Sequence, residues 1–303
     1  MNAPTAAAGV PQPLSHRATA DPLFRLVAHA LETAHGRPPA AVWSAPHAFH
    51  LGSPGLVAAA GWPVAAAAAP REDGLVRLSS LSHPAQSCDL ALAGPYPDTP
   101  DWAARPYALL RALARAGYGR AGTDLHVQGT LTEAAGLRLP EPLDCAVALA
   151  VADVHTAEGE ARPEREQLAA LIREVAPRDD DALRSAVLFA RPGTALHIGS
   201  GGARRSVPFD PPSSGTRLVL MAVRGSAEDR RDGLARAVEC ARRAGALSAW
   251  PPGSRPGRSV LMLLPADRLT AVRAAVADEF RGLDRPVPRF VNIAVAGAAR
   301  REE

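Results

Sequence analysis

Apolar positions along the chain change their period several times, and each change marks an element. Between residues 41 and 82 three apolar segments, AVWSAPHAFHL, GWPVAAAAA and GLVRLSSL, are bounded by Gly and Pro and have the length of strands. From 101 to 116 the spacing turns helical: Trp102, Leu109, Leu110 and Leu113 fall largely on one face, and Gly117 and Gly119 supply a left-handed stop. Leu125, Val127 and Gly129 then alternate with polar neighbours, which predicts a strand over 124–131. A second helix follows at 142–156, where Leu143, Val147, Ala150 and Val154 recur at helical spacing, and its apolar character predicts burial. A third spans 163–175, with Leu168, Leu171, Ile172 and Val175 as its stripe and Pro163 suited to the first turn. Beyond it the pattern predicts paired strands at 194–198 and 216–223. A helix capped by Ser226, with Asp229 three residues on, comes next; it carries Leu234, Val238 and Ala241 and ends at Gly245. The last unit is a strand at 259–264, a helix at 267–281 bearing Leu269, Val272, Val276 and Phe280 with Gly282 as its stop, and a strand at 289–295. Residues 1–20 and the end after Val295 lack periodicity and read as loose tails. The run APRDDD (176–181) joins a helix-ending proline to a charge cluster, so it predicts a boundary between an N-terminal domain, 21–178, and a C-terminal domain, 179–303. Strand and helix units mixed in this way predict an α+β fold of two lobes, with mixed or antiparallel sheets covered by helices.

Composition narrows the function more than the fold. With 303 residues, 47% of them hydrophobic, the chain can bury one large core or two modest ones. A balance of 34 basic against 31 acidic residues gives +3, too small to point to nucleic acid or an anionic membrane. The sequence contains no lysine, and the abundance of Arg, Ala, Pro and Gly reads as coding bias rather than as phosphate recognition. Cys88, Cys145 and Cys240 cannot all pair and show no metal-type clustering, which predicts buried, inert thiols in a reducing compartment. The apolar stretch at 56–69 contains Gly61 and Pro63 and is too short to span a bilayer. No charged-then-apolar signal arrangement opens the chain, so the expected location is the cytoplasm.

Several segments resemble the galactokinases of the GHMP kinase superfamily. They are AGLRLPEPLDCAVALA (135–150), APHAFHL (45–51), RPGTALHI with the following VPFD (191–210), and AGALSAW through GRSVLMLLPADR (244–268). The resemblance implies the two-lobed GHMP-kinase fold and, in an intact family member, phosphoryl transfer from Mg-ATP to a sugar. It also exposes departures. In the family an Ala-Pro-Gly-Arg-Val-Asn-Leu segment supplies an arginine near the transferred phosphate, and a Glu-His-Thr-Asp run holds the sugar hydroxyls; a gap-free alignment from Ala45 puts Ala48, Pro54, Gly55 and Val57 at those positions. The phosphate loop keeps Gly136 and Leu137, but Arg138, Leu139 and Pro140 replace its three serines, removing the hydroxyls and one backbone N–H. The family's Gly-Gly-Gly-Phe-Gly-Gly-Ser loop is represented here by Gly253, Gly257 and Ser259 with Arg and Pro between them. Counting back from Arg191 puts the catalytic aspartate's position at Leu183, next to Asp179, Asp180 and Asp181, which read as a solvated turn or helix cap. Only thirty-odd residues join VPFD to AGAL where the family has a long helical insert.

Two other constellations are weak. His47 and His50 point to opposite faces of a strand and do not form a metal pair, and Ser200, Ser206 and His197 lack a nucleophile-elbow signature. The sequence thus predicts a galactokinase-like GHMP-fold protein without catalytic or metal-binding residues and without a cofactor. It would act by binding an unidentified protein partner or small ligand, neither nucleic acid nor membrane. The alternative is a divergent sugar or small-molecule kinase using Mg-ATP through Arg138, Asp181 and Arg258.

Overall fold

The structure, a computed structural model, describes residues 13–129, 140–156, 162–224, 227–253 and 257–303. It opens with a helix the apolar pattern did not reveal, α1 (Pro22–His35). The Asp21 carboxylate accepts from Leu23 N, Pro22 stands in the first turn, and Gly36 ends the helix at φ 76°. Its stripe of Phe24, Val27, Ala28 and Leu31 is short and Ala-diluted, which hides it beside the stronger strand signals.

The hairpin β1 (Ala41–His50) and β2 (Leu56–Pro70) forms the middle of an eight-stranded sheet. β3 (Leu75–Ser79), β4 (Cys88–Ala91) and β5 (Gly122–Gly129) extend it on the β2 side, β3 parallel to β5 and the other pairs antiparallel. One face carries α2 (Asp101–Arg115), α3 (Glu141–Val154), α4 (Arg165–Val175) and α5 (Asp181–Phe189). Residues 145–152 of α3 are all buried, as the all-round apolar pattern predicts. They lie over Ala41, Ala45, Ala66 and Ala68, whose small side chains let the helix settle close to the sheet. α1 covers the opposite face, on Val42, Ala65, Ala67 and Ala69.

The register of β1 against β2 shifts between Ala45 and His47. Before the shift Trp43 and Ala45 face the α3 core. After it Ala48 does, while Phe49 turns towards the second sheet and stacks parallel to His47.

That second sheet has the order β11-β8-β10-β9 and is wholly antiparallel, made of β8 (Thr216–Ala222), β9 (Ser248–Trp250), β10 (Ser259–Pro265) and β11 (Arg289–Ile293). α6 (Ala227–Arg243) and α7 (Leu269–Gly282) pack on its outer face through Ala237, Ala241, Val272, Val276 and Phe280. Its inner face sets Leu218, Leu220, Leu261 and Ile293 against Phe49 and Ala60 of the large sheet. The α+β class with mixed and antiparallel sheets under helices therefore stands.

Beyond residue 178 the chain continues in the large core before it reaches the second sheet. Leu183, Ala186, Val187 and Leu188 of α5 belong to the large core, and β6 (Thr194–Ile198) pairs with both β2 and β7 (Arg204–Pro208). The chain passes to the second sheet after Pro208. It then returns, because β12 (Arg300–Glu302), in what reads as a loose tail, pairs with β1 through Ser44 and Arg300. Within the 176–181 run, Asp179 pairs with Arg105, Asp180 with His50, and Asp181 with Arg173 and Arg184. Residues 216–222 pair with β10 and β11 rather than with 194–198. Pro163 lies just before the α4 cap, where Glu164 and Gln167 form a capping box, and Gly282 is the last residue of α7 rather than its stop. Ser226 lies outside the described residues.

Candidate functional site

The N-termini of α3 and α5, the end of β1 and the segment after β9 meet at one junction. Asp180 caps α5, its Oδ1 accepting from Ala182 N at 3.1 Å and Leu183 N at 3.2 Å, and its backbone N–H donates to Glu141 Oε1 at 3.1 Å. Arg105, reaching across from α2, donates through Nε to Asp144 Oδ1 at 2.8 Å and pairs through Nη2 with Asp179. Asp144 and Asp179 are only 3% and 2% exposed, so the guanidinium is what makes their burial tolerable. The third carboxylate of the run, Asp181, pairs with Arg173 and with the buried Arg184.

His50 ties the two lobes together here. Its Nε2 lies 2.7 Å from Asp180 Oδ2, its N–H donates to Pro252 O at 3.0 Å, and its carbonyl accepts from the Trp250 indole at 2.6 Å. The hydrogen bond to Asp180 raises the His50 pKa above its ordinary value, against the effect of burial. Trp250 also lies against the backbone at Gly52, where a Cβ would come within 3.4 Å of the indole. His47 is different: it is 4% exposed, neither ring nitrogen has a hydrogen-bond partner among the described residues, and burial alone pushes its pKa down to about 4.

The positions singled out by the resemblance are spread over core, turn and helix. Ala48 and Val57 are buried in the core beneath α3, and Leu183, at the counted aspartate position, is buried there too. Gly55 adopts φ 70°, and any Cβ there would collide with the Ile198 carbonyl; Ile198 N in turn donates to Gly55 O at 2.8 Å. Pro54 is exposed in the same turn.

Gly136, Leu137 and Arg138 lie outside the described residues, whereas Pro140 is the cap residue of α3. Of the glycine-loop remnant, Ser259 is buried as the first residue of β10 opposite Ala222, and Gly253 and Gly257 flank residues outside the description. Asp179–181 holds the expected helix cap in Asp180, with Asp179 and Asp181 paired to arginines. Arg105, Glu141, Asp144 and Trp250 were not singled out from the sequence. Acidic residues in a helix's first turn are a readable signal for Glu141 and Asp144, but Arg105 and Trp250 are set by contacts distant in sequence.

Among the described residues no three His, Cys, Asp or Glu side chains converge as a cation site. None of their helices is long and apolar enough to cross a membrane. The cysteines are free; Cys145 and Cys240 are buried, Cys88 is half-buried against expectation, and burial raises the pKa of all three thiols.

No protein-family model matches the chain. A galactokinase from Streptomyces coelicolor is 30% identical over 203 residues, which is 63% of this chain and 52% of that protein. The chain thus spans about half the length of that relative. Among solved structures, Lactococcus lactis galactokinase complexed with galactose matches with a TM-score of 0.74 at 14% identity, over 92% of this chain and 99% of the other. A homoserine kinase from Cytophaga hutchinsonii gives 0.61 at 13% identity over 86% and 96%, and Methanococcus jannaschii mevalonate kinase 0.60 at 10% over 84% and 98%. At these identities the structural likenesses speak for the fold.

Proposed function

The chain is galactokinase-like in sequence and has the fold of the GHMP kinases, and on that premise we propose that it is a catalytically degenerate member of this fold, working by binding a partner or small ligand rather than by phosphoryl transfer. The observation that carries the reading is the fate of the family's ligand-holding positions: Ala48 and Val57 are core residues, and Gly55 is a left-handed turn with no room for a side chain. A sugar site depends on fixed hydrogen-bond partners, and each one lost costs about 1–3 kcal/mol. Losing several together removes that mode of recognition.

The phosphate end supports the same reading. An anion is drawn to a helix N-terminus by its unpaired N–H groups and dipole. Here the first turn of α3 already holds two buried carboxylates, Glu141 and Asp144, and the cap of α5 holds Asp180. A triphosphate approaching this junction meets like charge. Mg-ATP is therefore a poor fit to the described residues, and Asp181, invoked for a divergent kinase, is engaged by Arg173 and Arg184.

The test combines an assay and a titration. With galactose and Mg-ATP, a coupled ADP-release assay should give no turnover above a boiled control. Calorimetry should show no magnesium-dependent ATP binding tighter than about millimolar, equivalent to roughly −4 kcal/mol. Micromolar binding, or measurable turnover, would replace this reading with that of a divergent kinase.

A further inference from the structure

A second polar cluster lies on the other face of the large sheet, away from the junction. Strand alternation puts it there: Asp124 and His126 stand opposite Ala69 and Ala67, which lie under α1, while Leu125 and Val127 face the α3 core. Arg77 and Ser79 are the β3 partners of Asp124 and His126 and share their face. The buried Asp124 is neutralised by Arg71, at 2.8 Å, and by Arg37. Next to it runs a neutral chain: His126 Nδ1 lies 2.9 Å from Ser79 Oγ, which lies 3.1 Å from His35 Nε2.

A serine hydroxyl carries one proton, so one imidazole nitrogen accepts from it and the other donates to it. Either arrangement leaves His126 Nε2 without a partner among the described residues, in a residue only 2% exposed. An unmade hydrogen bond at such a site costs about 1–3 kcal/mol.

His126 and Ser79 line a cavity of about 570 Å³, within the size range of small-molecule sites. α1 lies over β2 and β5 and leaves this corner open. Leu26 and Leu81, 47% and 43% exposed, stand among its lining residues, with Ala30 on the helix side. His83, also in the lining, is stacked at 5.3 Å and 5° on Trp102 and presents a flat wall. The charge available is small, since Arg77 faces Asp89 at 3.2 Å and burial lowers the pKa of both His35 and His126.

We propose that this cavity binds a small neutral ring compound bearing a hydroxyl group, the ring against Leu26, Leu81 and His83 and the hydroxyl hydrogen-bonded to His126 Nε2. The site is separate from the junction and does not depend on whether the protein phosphorylates anything. Binding there fixes the His126 tautomer and, through Ser79, that of His35.

Phenol is the probe, with toluene and benzoate as analogues lacking the hydroxyl or carrying a charge, read by NMR of the histidine rings of the full chain. The expected result is saturable phenol binding at about millimolar Kd that shifts both His126 and His35, with toluene and benzoate at least about tenfold weaker. Ala30→Trp, which fills the cavity from the exposed side of α1, should abolish binding with the other histidine signals unchanged. Should that variant unfold, Leu81→Trp at the rim replaces it. Ser79→Ala should keep the His126 shift and reduce the one at His35, which also lines the cavity. The proposal is overturned if phenol leaves His126 unmoved, if benzoate binds as well as phenol, or if a folded cavity-filling variant binds phenol unchanged.

Discussion

Two groups of buried polar side chains on the large sheet are held in opposite ways. At the junction of α3 and α5, carboxylates are matched by cations: Arg105 serves Asp144 and Asp179, and His50 meets Asp180. Under α1, beyond the Asp124 ion pairs, the buried groups are neutral, linked through one serine hydroxyl, and leave a nitrogen unserved beside a cavity. A charge-matched network fixes geometry, whereas an incomplete neutral one can still be completed from outside. The region that the fold leads one to inspect is the charge-matched one, and the incomplete neutral one lies elsewhere.

The largest effect should come from breaking the charge-matched network. Arg105→Ala leaves Asp144 and Asp179 buried without their guanidinium and should cost about 3–5 kcal/mol in urea unfolding. Adding Asp144→Asn and Asp179→Asn to that variant should restore most of the loss, because the charges rather than the packing carry the penalty. A cost below about 1 kcal/mol for Arg105→Ala would mean that water reaches the carboxylates, and the contrast between the two regions would collapse.

Acid should strain the neutral histidines next. His47 and His126 have native pKa values of about 4, below the ordinary 6.5, so between those values the unfolded chain binds protons that the native protein refuses. Stability is full above pH 6.5 and falls as pH drops towards 4, by up to roughly 1.4 kcal/mol per pH unit for each histidine. His47→Leu should flatten that slope, as followed by melting temperature from pH 7 to pH 5. An unchanged slope would mean that His47 is not sealed between the sheets.

The unequal legibility of the two regions follows from how each signal arises. The apolar stripes of α2, α3 and β5 could be read because core formation is periodic. α1 escaped because Ala dilutes its stripe, and α5 because its nine residues follow a charge run that resembles a linker. Departures from the family's residues could be read at 48, 54, 55 and 57. That Gly55 is required by a backbone contact to Ile198 could not be, since a close approach between distant strands leaves no local pattern. The His35–Ser79–His126 chain was equally hidden, because its members come from three elements and acquire meaning only through β3–β5 pairing.

Within the neutral chain, Ser79→Ala removes the common partner of His35 and His126. It should cost about 1–3 kcal/mol, the penalty for leaving buried donors or acceptors unmade, and phenol should recover part of the loss if the cavity is a site. No destabilisation would mean that water already serves these nitrogens.

The smallest effect belongs to His50, which sharpens the comparison through its sign. Its pKa is raised by Asp180, so its contribution is fully present below 6.5 and disappears as pH rises through the native value, opposite to His47 and His126. The side chain is 26% exposed and the pair is open to solvent on one side, so the contribution should stay within about 1 kcal/mol. His50→Gln should therefore lower the melting temperature slightly at pH 6 and hardly at all at pH 9. Asp180→Asn should act similarly on the pH dependence while keeping most of the α5 cap, because an amide oxygen can still accept from Ala182 and Leu183 N–H. If His50→Gln costs more at pH 9 than at pH 6, the imidazole acts at the junction as a neutral hydrogen-bonding group, and the two regions hold their histidines in the same way.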